Sequence, residues 1–188
     1  MSRPAVPALF IAWLLAGCTG LQVQQPVELL DDRTGITVAA LARAVELTPH
    51  DLIPVGRRPA FAYLGPVEWN RMGSFTQGLW LHLAPGQDQP LADLHNEATL
   101  ELTLDDGPLG LHPATPPALG REPYQPAVPW GQTGYFSLTV HDLRRLAASS
   151  RLTLRCNAAD GSRLTFTNSA DPRPALQAYL QSRRLTGD

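Results

Sequence analysis

Glu97-Ala98-Thr99-Leu100-Glu101-Leu102-Thr103-Leu104 decides the fold class, because four apolar residues alternate there with four polar ones. A period of two sends successive side chains to opposite faces of an extended chain, so Ala98, Leu100, Leu102 and Leu104 mark a buried face and the others a wet one. Asp105-Asp106-Gly107 follows as a turn, and Leu109 and Leu111 restart the alternation. The stretch therefore reads as a β-hairpin.

The same pattern recurs along the chain. Leu152, Leu154 and Cys156 share one side of Arg151 to Asn157, Ala158 to Gly161 turns, and Leu164 and Phe166 continue in Arg163 to Thr167. Phe61 to Trp69 and Phe75 to Leu83 flank Asn70-Arg71-Met72-Gly73, residues suited to a tight antiparallel turn. Leu79, Leu81 and Leu83 would share a face, with Trp80 and His82 opposite. Ile36 to Leu47 follows the Asp32-Arg33-Thr34-Gly35 turn and reads as strand, although its alanines also suit a helix.

Two helices interrupt the strands. Thr139 can cap Val140 to Ala148, with Asp142 closing a capping box and Leu143, Leu146 and Ala147 forming the buried stripe. Asp171 with Pro172 opens a last helix, whose apolar face is Leu176, Tyr179 and Leu180. The fold class expected is mainly β: an antiparallel, two-layer, β-sandwich-like domain with one short internal helix and a C-terminal helix. Residues 27–188 form that single domain, large enough to bury a core without metals or disulfides.

Residues 1–17 belong to export instead. Ser2-Arg3 gives a short positive start, and Ala5 to Leu15 is apolar apart from Pro7. That run falls short of the roughly 20 residues needed to span a bilayer. Ala16-Gly17 before Cys18 supplies a processing site. Thr19 to Pro26 is polar, and its eight residues reach at most about 25 to 30 Å.

Leu15-Ala16-Gly17-Cys18 resembles the lipobox of bacterial lipoproteins. The resemblance implies cleavage before Cys18, a thioether-linked diacylglycerol on its sulfur and a further acyl chain on the new amino terminus. Several chains anchor stably where one is marginal. Thr19 stands where an aspartate favours inner-membrane retention, so the implied location is the outer membrane, facing the periplasm. The Asp32-Arg33-Thr34-Gly35 and Asn70-Arg71-Met72-Gly73 turns are similar to those of small uncharacterised bacterial lipoproteins, a likeness that implies a class and no activity.

Composition excludes some partners. All 15 basic residues are arginines and are scattered, and the net charge is −2, so the concentrated basic face of a nucleic-acid binder is missing. Cys156 is the sole cysteine after Cys18, which removes any disulfide within the domain. It falls on the apolar side of its strand and reads as a buried, inert thiol.

Catalytic motifs are equally scarce. No G-x-S-x-G turn occurs. His141-Asp142 is the one adjacent histidine–acid pair, and His50, His82, His95, His112 and His141 lack the close spacing of zinc ligands. Asp31-Asp32 and Asp105-Asp106 lack the spacing of a calcium loop and read as solvated turns. No cofactor, metal or catalytic residue is assigned.

The proline-rich stretch Pro113 to Pro129 is long for an irregular segment and is either an edge-covering loop or a functional one. Trp69 and Trp80 read as packing residues. Tyr124 and Trp130 are the candidate partner contacts, with folding back onto the sheet as their alternative. Two functions stay open: a non-catalytic binding or scaffolding module for an envelope protein or cell-wall polymer, and an envelope hydrolase assembled from dispersed His, Asp and Ser residues.

Overall fold

The structure, a computed structural model, describes residues 25–50, 60–86, 94, 100–126, 128, 130–158 and 161–185. Cys18, His95 and the 97–99 part of the deciding stretch lie outside the described residues. Among the described residues eleven strands and two helices follow one another as β1 (Pro26–Asp31), β2 (Ile36–Leu41), β3 (Val45–Pro49), β4 (Phe61–Arg71), β5 (Ser74–Ala84), β6 (Leu100–Leu104), β7 (Gly107–Leu109), β8 (His112–Pro113), β9 (Gln132–Ser137), α1 (Val140–Ala148), β10 (Thr153–Asn157), β11 (Arg163–Asn168) and α2 (Arg173–Ser182). The fold is mainly β and antiparallel, with the two expected helices.

All strands belong to one curled sheet in the order β7-β6-β10-β11-β3-β4-β5-β9-β8. The hairpin β1–β2 joins it beside β4. The layers of the sandwich-like domain are thus two arms of one sheet, joined where β3 meets β4. β4 shares one edge between two neighbours: β3 pairs with Ala62 to Leu64, and β2 pairs with Ala40 at Val67 and onward to Arg71. Gly65 and Pro66 fall in the gap.

The register assigns each side chain a face. Leu47, Leu64, Leu81, Phe166, Leu154 and Leu102 all point to the inner face, where they join the buried stripes of both helices in one core. Leu79, Leu81 and Leu83 share this face, with Trp80 and His82 opposite, as the alternation requires. Both sets are buried from Gly78 onward, in keeping with Trp80 as a packing residue. The reason is a second covering layer, described below.

Local signals act where expected. Met72 and Gly73 take positive φ of 53° and 88°, and the Asn70 side-chain oxygen accepts the Gly73 N–H at 2.9 Å. Positive φ at both central residues matches the twist of an antiparallel pair, and glycine adopts it without strain. Thr139 and Asp142 form the reciprocal capping box, and Leu143, Leu146 and Ala147 are buried. Helix α2 begins one residue later than its sequence suggests, with Pro172 as N-cap and Pro174 in the first turn. Asp171 accepts the Arg173 N–H at 3.0 Å and pairs with its guanidinium, so it orients the entry without capping the helix.

The far end of α2 is fixed to the sheet by charge. Arg183 donates through Nε to Glu68 at 2.8 Å and through its other nitrogens to Glu68 and Glu28. Gln77, opposite Glu68 in the register, donates to the other carboxylate oxygen. Glu68 is only 3% exposed, so losing Arg183 would leave a buried charge unpaired.

Candidate binding surface

The outer face of the sheet divides into a covered half and a bare half. On β2, β4, β5 and β9 it carries Val38, Val67, Trp69, Trp80, His82 and Tyr135. The proline-rich segment lies across this half as a strap, covering a face as well as an edge. The strap is what buries the outer side of β5.

Tyr124 is the central fastener. Its hydroxyl donates to the Pro66 carbonyl at 2.7 Å and accepts the Leu41 N–H at 3.0 Å. These groups border the gap between β2 and β3, where the ladder offers them no strand partner. Gly65 lies beneath the ring, and a Cβ there would sit under 3.0 Å from three Tyr124 atoms. Burial drives the phenol pKa far above its ordinary value. At 4% exposure Tyr124 cannot serve as a partner contact: of the two alternatives it takes the one that folds back, because its polar tip is consumed by backbone groups.

Other fasteners flank it. The ring of Trp80 lies 4.9 Å from that of Tyr124 and 5.8 Å from that of His82. Glu122 accepts the Tyr135 hydroxyl, and Asp31 accepts the Gly120 N–H at 2.6 Å. His82 contacts the Trp130 carbonyl through Nε2 at 3.3 Å and the Thr133 hydroxyl through Nδ1 at 2.9 Å. A carbonyl only accepts, so the neutral ring carries its proton on Nε2 and receives the Thr133 proton at Nδ1. Burial holds the His82 pKa below its ordinary value. Trp130 itself is 38% exposed at the strap's end and stays accessible as a contact.

The bare half spans β3, β11, β10 and β6. Thr48, Thr167, Thr153 and Thr103 form one row across it, and Thr165, Arg155 and Glu101 a second that His50 extends. Among the described residues no segment crosses these rows. Thr153, Thr165, Thr167 and Arg155 line an open depression of about 780 Å³, which Ser150-Arg151 and the adjoining Ser169 to Asp171 border at one end. Arg151 and Arg155 bring positive charge to its rim beside His50, while the carboxylate of Asp171 is taken by Arg173. Arg155 also reaches the exposed Glu101 at 3.1 Å.

The remaining polar candidates are dispersed or already engaged. His50, His112 and His141 are exposed, each on a different part of the fold. His50 makes no side-chain hydrogen bond to a described acid or hydroxyl, and Asp142 is occupied at the helix cap. Among the described residues no group of three or more His, Cys, Asp or Glu stands close enough to hold a metal. The acidic turns are not merely solvated: Asp31 holds Gly120 and Arg33 N–H groups, and Asp105 accepts from the Ser150 N–H and hydroxyl and the Arg151 N–H. Each carboxylate bridges its turn to a distant segment, and those bonds keep both pKa values below the ordinary range. Cys156 is buried and free, with its thiol pushed up to about 11 by burial.

Comparison with known proteins returns no match to a family model, a curated protein or a solved structure. The functional reading therefore rests on residues and geometry. The threonine rows carried a sequence signal that pointed to them: Thr103, Thr153, Thr165 and Thr167 fall at wet positions of β6, β10 and β11, beside Glu101, Arg155 and Arg163.

Proposed function

We propose that this chain is a lipid-anchored envelope protein, held at the outer membrane through acylated Cys18 and presenting a binding surface to the periplasm. The observation that carries this reading is Leu15-Ala16-Gly17-Cys18 at the end of a short apolar run. The sheet begins at Pro26, so the domain hangs within about 25 to 30 Å of the bilayer. Engaged acids and dispersed histidines favour binding or scaffolding over hydrolysis. The partner is an envelope protein or cell-wall polymer, and Trp130 at the end of the strap is available to contact it.

Growth of a bacterial expression host with an alkyne-tagged fatty acid tests the anchor. Wild type should be labelled and sediment with outer membranes, whereas Cys18→Ala should be unlabelled. Equal labelling of both proteins, or none of wild type, would sink the proposal. Mass spectrometry of what co-purifies with wild type and Trp130→Ala would then test the contact at the strap.

A further inference from the structure

The bare half of the outer face has a more specific chemistry than a solvated sheet surface. We propose that it is a binding site for an acidic saccharide, floored by Thr153, Thr165 and Thr167 and gripped by Arg151 and Arg155. This inference rests on reading the chain as an envelope binding module and names the ligand class.

Antiparallel sheets commonly leave one face wet, and threonine suits strands for reasons of shape alone. Both signs occur on this face, as on ordinary wet surfaces, and what distinguishes it is that two arginines line a depression whose one described acid is already paired. The depression gathers Arg151 and Arg155, and Asp171, its only acid among the described residues, is already paired with Arg173. Nearby Asp105 is consumed by three donors from Ser150 and Arg151. The Arg155–Glu101 pair is exposed on both sides, and solvent leaves such a pair little net stability. A ligand acid can displace it.

Geometry then selects the ligand. Arg155 and Thr153 share one face of β10, and Arg151 precedes that strand by two residues at the border of the same depression. Neighbouring threonines across the strands are about 4.7 to 4.9 Å apart. A guanidinium offers a planar fork of donors for carboxylate or phosphate, while a hydroxyl both donates and accepts. Acid groups at the arginines and hydroxyls over the threonines describe a sugar acid or a sugar phosphate. With no aromatic platform in the depression, binding depends on polar contacts, and salt should weaken it.

The test uses the full chain in detergent, titrated with oligogalacturonate, neutral dextran oligomers of similar length and polyglutamate. Oligogalacturonate should bind best, because polyglutamate has acids without hydroxyls and dextran hydroxyls without acids. Arg151→Gln with Arg155→Gln should weaken it by about tenfold or more, the scale of a lost charged hydrogen bond. Thr153→Val should weaken it about threefold, within the range for one neutral bond. Each variant must keep the wild-type urea midpoint. The proposal is overturned by no binding, by equal binding of dextran or polyglutamate, or by full affinity in the double variant. Fatty-acid labelling of Cys18 keeps the two readings distinguishable: labelled protein that ignores oligogalacturonate refutes this site alone, and unlabelled protein that binds it refutes the anchor alone.

Discussion

One sheet presents two outer surfaces built by opposite rules. The half on β2, β4, β5 and β9 is aromatic and closed by the strap, and its tyrosine hydroxyls are engaged by backbone groups or by Glu122. On β3, β11, β10 and β6 the surface is threonine with arginine and glutamate, and no described segment crosses it. An irregular segment with few hydrogen bonds of its own needs a surface to fasten to, and the gap in the β4 edge supplies one. The other arm has a continuous ladder and no such gap. It keeps its side chains for solvent or a ligand.

The largest effect should come from Gly65→Ala. The added methyl group collides with the Tyr124 ring, so either the ring leaves or β4 shifts. Overpacking together with two broken buried hydrogen bonds should cost about 3 kcal/mol, read as a lower urea midpoint. An unchanged midpoint would mean that Tyr124 does not hold the strap.

Tyr124→Phe should cost less, about 2 kcal/mol, because it keeps the ring and strands only the Leu41 N–H and Pro66 carbonyl. If the loss is under half that, water or a backbone adjustment serves the gap, and the two halves differ in composition more than in construction.

His82 makes the same comparison titratable. Burial lowers its folded-state pKa, so the unfolded chain takes the proton first as pH falls through about 6.5. The stabilisation is complete above that pH and declines as pH drops toward the buried value. Urea midpoints between pH 7.5 and 5.5 should fall for wild type and flatten for His82→Gln. Parallel profiles would remove His82 as the cause.

What the sequence revealed follows the range of the interactions concerned. The Asn70 to Gly73 turn, the Thr139–Asp142 capping box and the inward side of Cys156 each depend on neighbours a few residues away. Tyr124 depends on Leu41, 83 residues distant, and on Pro66, 58 residues distant. No local pattern shows that β4 divides its edge between β2 and β3, so neither the gap nor the residue filling it could be foreseen. Burial of both faces of β5 was hidden for the same reason, since a two-residue period shows which residues share a face and not what covers it. The threonine rows were half visible: alternation marked each residue as wet, but only the register aligns Thr48, Thr167, Thr153 and Thr103.

The smallest effect is the most discriminating. Thr153 sits in the middle of the bare half, partly exposed, with neither a strap segment nor a buried donor depending on its hydroxyl. Thr153→Val preserves the branched shape that a strand favours and removes only the polar atom, so stability should change by less than about 0.5 kcal/mol in either direction. Such near-neutrality would show that folding does not require the hydroxyl, leaving solvent or a ligand as its only use. A loss above about 1 kcal/mol would place the threonine row among the sheet's own supports, and the contrast between a closed structural half and an open functional half would then fail at its centre.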